Sequence, residues 1–195
     1  GVINLTTIGF AMCGSYCTFE AVFKQIEVLK NLGYNIIPIM SENSYTLNTR
    51  FGDASHWHER MRDITGNRII HTIPTAEPIG PKKMLDALII APCTGNTLAK
   101  LATGVTDTCV TLAAKAHLRN SRPLLIAPST NDALSNAAKN IGCLLNYKNI
   151  YFVPYGQDSF KGKPNSMVAD FTLIPKALEA ALEDKQLQPI VISPK

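Results

Sequence analysis

The segment Leu85 to Ala91 constrains the fold more than any other: it is apolar at every position but Asp86, and Pro92 follows it directly. A strand with one wet face alternates apolar and polar side chains, whereas a near-continuous apolar run implies burial on both faces. The chain must therefore supply helices to cover a sheet above and below. Leu85 to Ala91 is predicted as the central strand, stopped by Pro92.

The flanking patterns supply those covers. Val2 to Phe10 reads as a strand, and Thr18 leads a helical pattern with Phe19, Val22, Phe23, Ile26 and Leu29 on one face. Gly33 closes that helix, and Tyr34 to Met40 follows as a second strand. After the polar stretch Ser41 to Asp53, a short helix over His56 to Thr65 is expected, with a solvated outer face, and then a third strand over Arg68 to Ile73. Pro74, Pro78, Gly80 and Pro81 predict irregular backbone until about Met84. Helices are expected over Thr97 to Ala102 and Asp107 to Leu118, the second capped by Asp107. Pro123 to Ala127 and Ile150 to Val153 read as strands, with a helix from Asn131 or Asp132 to Ile141 between them. Phe171 to Glu183 is the last amphipathic helix, before an extended tail from about residue 186. Alternation at this interval predicts an α/β fold with a single doubly wound parallel sheet and right-handed crossovers.

Length and composition limit the function classes. A chain of 195 residues suits one domain, here taken as 1–195. With 46% hydrophobic residues and no apolar run near the ~18 residues of a membrane span, a soluble cytoplasmic protein is expected. No signal-peptide pattern is visible. The net charge of +4 comes with no basic run, which suits a small anionic ligand better than nucleic acid. Five cysteines, without CxxC spacing, argue for a reducing compartment and against a metal site.

In a doubly wound sheet, ligands bind beyond the carboxyl ends of the strands. Four loops gather there: Ala11 to Thr18, Met40 to Ser44, Pro92 to Thr97 and Pro128 to Asp132. Gly14 and Ser15 precede a helix, where they serve either as a phosphate site or as a cap. No Walker lysine and no full GxGxxG is present, which disfavours a nucleoside triphosphate or a standard dinucleotide. Thr94, Gly95, Asn96 and Thr97 offer a planar heterocycle close approach and hydrogen bonds, and Ser129, Thr130 and Asn131 repeat that chemistry one strand on. His56 and His58 flank Trp57 and read as surface residues. Cys93 reads as a small buried residue, since no basic group in its motif lowers its pKa. Arg50, Lys82, Lys163, Arg122 and Lys161 are loop cations, of which Arg50, Lys82 and Lys163 are the candidates for binding a substrate carboxylate.

The stretch from Pro92 through Thr97 and on to Asp107 resembles the signature loop and helix of the flavoprotein family that contains phosphopantothenoylcysteine decarboxylases, lantibiotic-processing Cys decarboxylases and flavin prenyltransferases. Pro128-Ser129-Thr130-Asn131 resembles its second signature. That resemblance implies a flavodoxin-like or Rossmann-like three-layer sandwich, FMN, and a homo-oligomer built of trimers. Gly14, Ser15 and Ser41 would hold the phosphate and ribityl chain, Thr94 to Thr97 the isoalloxazine, and Asn131 would face the substrate. His71 is the nearest counterpart of the family's active-site histidine. Where the decarboxylases carry Met, this chain has Thr130 and Leu134, and Pro154 to Ser159 contains no Cys clamp, so cysteinyl decarboxylation is not expected.

Within that family the dipicolinate synthase B subunits of endospore-forming bacteria are the closer likeness. It rests on separated blocks such as 48–52, 77–81, 129–134, 149–158 and 163–169. It implies a subunit contributing, in the mother cell of a sporulating bacterium, to oxidation of dihydrodipicolinate to dipicolinate. Its partner would be a dehydrogenase-like A subunit carrying NADP. The alternative is a non-catalytic partner subunit whose pocket is empty or holds an anion.

Overall fold

The computed structural model describes residues 5–193. Its central strand is β3 (Ala87–Cys93), buried at every residue as the apolar run requires. Full burial of Leu88, Ile89 and Ile90 contributes roughly 1.5–3 kcal/mol each relative to exposure. Around it stand β1 (Thr7–Met12), β2 (Asn35–Met40), β4 (Leu124–Thr130) and β5 (Ile150–Phe152), all parallel, in the order β2-β1-β3-β4-β5. That is the flavodoxin-like order. Of the predicted first strand, Val2 to Asn4 lie outside the described residues.

One face is covered by α1 (Phe19–Asn31) and α8 (Ile174–Leu182). The helices of the other face are α5 (Gly95–Thr103), α6 (Cys109–Leu118) and α7 (Ala138–Leu145). At the β2 edge lie the short α2 (Glu42–Thr46) and α3 (Ala54–Thr65), while α4 (Ile73–Ala76) packs on α6. No helix of the described residues is long and apolar enough to cross a membrane.

The sheet carries an antiparallel addition that periodicity did not reveal. The first half of β4, Leu124 to Ile126, runs beside β5, and its last two residues, Ser129 and Thr130, beside β7 (Met167–Ala169). Strand β7 pairs in turn with β6 (Tyr155–Gly156). Strands of two and three residues are too short to show a period. The resulting sheet of seven strands is mixed. The tail finishes both edges: the Gln186 amide donates to Phe152 O (2.7 Å) and accepts from Phe152 N (2.8 Å), while Tyr155 pairs with Ile190 and Ile192.

Several local expectations change for identifiable reasons. Arg68 to Ile73 is not a strand but a single bridge between Ile39 and Ile70. The next donor on that edge is Pro38, which has no N–H, and Ile36 O is already taken by the Asn67 amide at 2.7 Å. Pro92 does not stop β3; a register shift after Ile90 frees it from the ladder, and its carbonyl accepts from Cys13 N. The prolines at 74 and 78 occupy the first turn of α4 and of a 3₁₀ turn over Glu77–Ile79, where no N–H is needed. Thr108 rather than Asp107 caps α6, in a reciprocal capping box with Thr111, because the Asp107 carboxylate is held by Lys100 Nζ at 2.8 Å. The helix expected from Asn131 begins only at Ala138; residues 131–137 form successive turns folded on Asp132 O. Glu42–Thr46 is helical rather than irregular, with Ser41 as cap.

Candidate functional site

Because β1, β3 and β4 are adjacent, their carboxyl ends bring three polar loops together. The Ser15 and Ser129 hydroxyls lie 2.9 Å apart, joining the loops after β1 and β4 across the end of β3. Thr94 caps α5, accepting from Thr97 N and donating to Thr97 Oγ1 at 3.2 Å. At Gly95 a Cβ would stand 2.7 Å from Thr130 Oγ1 and 2.9 Å from Asp132 Oδ1, so only glycine fits between the loops without a shift. The Thr130 hydroxyl donates to Asp132, which fixes the carboxylate at that spot.

These loops form one wall of a cavity of about 980 Å³, within the range of small-molecule sites. The opposite wall comes from Asn136 in the turn before α7, from Asn140 in its first turn, and from Asp158, Lys163 and Ser166 in the β6–β7 connection. Leu134 N donates to Asn165 O (3.0 Å) and ties the two segments. The charged groups on the cavity wall are Asp132, Asp158 and Lys163, and Lys163 Nζ lies 3.6 Å from Asp158 Oδ2. A second cavity, about 580 Å³, runs between α1 and the β6–β7 hairpin and shares Cys17, Asp158 and Val168 with the first.

Of the residues singled out from sequence, Gly14, Ser15, Thr94, Gly95, Asn96, Ser129, Thr130, Asn131 and Lys163 line this cavity. Four others do not. Ser41 is turned to its own helix, its Oγ 2.9 Å from Ser44 Oγ. Thr97 lies beneath the wall, its buried hydroxyl on Cys13 Sγ at 3.3 Å. Arg50 sits on the exposed 48–52 turn with its guanidinium over the Phe51 ring, and Lys82 is exposed in the turn after the Glu77–Ile79 segment. Loop cations are usually solvated, and these two follow the rule.

Sequence reasoning missed Asn136, Asn140 and Ser166. The signal was present: Asn140 falls on the same helical stripe as the buried Ala137, Ile141 and Leu144, an amide on an apolar face.

The candidate histidines lie elsewhere. His58 and His71 stack on opposite faces of Tyr45, at 4.0 and 3.8 Å between ring centres, and none of the three lines the cavity. His58 is half-buried rather than superficial, and burial holds its pKa below the usual range. Trp57 is buried against Phe19 and Phe23, so α3 turns an aromatic inward between its two polar neighbours. Cys93 is fully buried; burial pushes its thiol well up, and pushes Cys13 to about 11 and Cys109 to about 12. None supplies a thiolate at neutral pH. No group of three metal-ligating side chains occurs among the described residues.

The flavoprotein family profile matches residues 3–172. The chain belongs to the flavoprotein family. It is 49% identical over 185 residues to the dipicolinate synthase B subunit of Bacillus subtilis (strain 168), covering 95% of this chain and 92% of that protein. The crystal structure of the dipicolinate synthase B subunit from Bacillus halodurans C superposes with a TM-score of 0.90 at 43% identity, over 97% of each chain. The FMN complex of DmrB from Burkholderia xenovorans, a cubic protein cage for redox transfer, shares the fold, with a TM-score of 0.69 at 17% identity over 93% of this chain and 97% of that one.

Proposed function

We propose that this chain is the FMN-binding B subunit of a dipicolinate-forming oxidoreductase, working with an A subunit that carries NADP. The observation that carries this reading is the 49% identity over 95% of the chain to a dipicolinate synthase B subunit, in a protein whose strand-end loops form a cavity of flavin-compatible size. The local chemistry fits FMN. Gly14 and Ser15 precede a helical N-terminus, where backbone N–H groups favour a phosphate. Gly95 lets the loop after β3 pack directly on Thr130 and Asp132, and Thr94, Asn96, Ser129 and Thr130 offer neutral donors and acceptors to a ring edge.

Oxidation of dihydrodipicolinate removes two electrons and two protons and leaves an aromatic pyridine ring. FMN, when bound, supplies a two-electron acceptor for that step. The chain's own part is binding and orientation: Asn131 faces the substrate, and the carboxylate of Asp132, held by Thr130, lies beside it on the wall. Aromatisation supplies the driving force, so little acid–base power is required. No histidine lies on the described cavity wall, which agrees with this. The same absence favours a second reading, a non-catalytic subunit whose cavity holds an anion while the A subunit performs the whole reaction. In either reading the chain works in the cytoplasm of a spore-forming cell, as a homo-oligomer of trimers.

Two measurements separate these readings. Titration with FMN should quench flavin fluorescence and raise the melting temperature; a flat response excludes the cofactor. Dipicolinate formation by the A subunit, with and without this chain and with and without FMN, should rise only when chain and FMN are both present.

A further inference from the structure

The wall of the cavity opposite the flavin-type loops contains polar groups that the fold does not use. Asn140 is 7% exposed and Ser166 3%, both line the cavity, and neither side chain makes a hydrogen bond among the described residues. Their polar atoms open into the cavity rather than being sealed in the core, and so stand ready to bond a molecule that enters. Asn136, one turn earlier than Asn140, presents a second amide, and Lys163 stands nearby with its ammonium only loosely held by Asp158 at 3.6 Å. The segment is not adventitiously open: Leu134 N on Asn165 O and Ser166 N on Lys163 O fix both backbones.

We propose that Asn136, Asn140, Ser166 and Lys163 form a carboxylate-recognising subsite for a small planar dicarboxylate, lying across the cavity from Gly14, Ser15 and Gly95. Amide N–H and hydroxyl groups donate to a carboxylate, and Lys163 adds the charge-assisted bond. The identity of the dicarboxylate rests on the function proposed above; the subsite's preference for a carboxylate rests on the donors alone.

The test is calorimetric titration of pyridine-2,6-dicarboxylate into the full-length chain, with and without FMN. Wild type should bind it, and bind the neutral dimethyl ester at least about tenfold more weakly. Asn140→Asp keeps the side chain's shape but replaces donors with negative charge, and should weaken the dicarboxylate by at least about tenfold while FMN affinity stays unchanged. Ser166→Ala, which removes only a hydroxyl, should weaken it by about threefold and serves if Asn140→Asp folds poorly. Equal affinity for diacid and diester, or undiminished binding in Asn140→Asp and Ser166→Ala, overturns the subsite whatever FMN does. Carboxylate binding by a chain that does not take up FMN upholds the subsite and removes the flavin reading instead.

Discussion

The two walls of the cavity are built on different principles. The wall of strand ends, 14–15, 94–97 and 129–132, rests on the buried parallel strands β1, β3 and β4 and ties its hydroxyls together, Ser15 on Ser129, Thr94 on Thr97 and Thr130 on Asp132, leaving the Asn96 and Asn131 amides to the cavity. The facing wall, from residues 136–140 and 157–166, is carried by the start of α7, a two-residue strand and a three-residue strand, and leaves the Asn136 and Asn140 amides and the Ser166 hydroxyl without partners among the described residues. A wall that directs most of its hydroxyls to itself offers mainly shape and backbone. One that leaves side chains unpaired offers recognition. The first suits a resident group held in one pose, and the second a ligand that comes and goes.

The largest expected effect comes from breaking the support of the first wall. Leu88→Ala in β3 removes a fully buried side chain and should cost about 2–5 kcal/mol by chemical denaturation. Met167→Ala in β7, at the sheet edge, should cost less than half as much, and an equal cost would erase the contrast. Next is Gly95→Val, whose branched side chain meets Thr130 and Asp132; a loss of about 1–3 kcal/mol in stability and of FMN binding is expected. Replacing Thr108 by Ala removes the α6 cap and should cost ~1 kcal/mol with no effect on either wall. A smaller effect should follow Lys163→Met: the ion pair with Asp158 is exposed, so stability should change by less than about 0.5 kcal/mol. Dicarboxylate affinity should nevertheless fall.

An acid-dependent term is expected as well. Burial lowers the pKa of His117, whose Nε2 lies 2.9 Å from Pro123 O. A histidine more acidic in the folded state binds fewer protons than in the unfolded chain, so its contribution is intact above the ordinary value near 6.5 and is lost as pH falls below it. Melting curves at about pH 7.5 and 5.5 should separate, and His117→Gln should narrow the gap.

The first wall was legible in the sequence and the second largely was not. Buried strands announce themselves by composition, and their polar end loops follow from topology, so Gly14, Ser15, Thr94, Gly95 and Ser129 could be named without coordinates. Arg50 and Lys82 misled because charge in a loop says nothing of where the loop goes. Asn140 was hidden because it lies on a helical stripe among residues that read as core, and Ser166 because β6 and β7 are too short to carry a pattern. The edge at Arg68 to Ile73 failed for a local reason, the missing N–H of Pro38.

The central claim is that the strand-end wall holds a flavin. Its most direct test is titration of FMN into the full-length chain and into Gly95→Val, with circular dichroism confirming that both are folded. Saturable binding of one FMN per protomer by wild type, lost in Gly95→Val, is the predicted result; no saturable binding by wild type, or unchanged binding by the variant, would contradict the account.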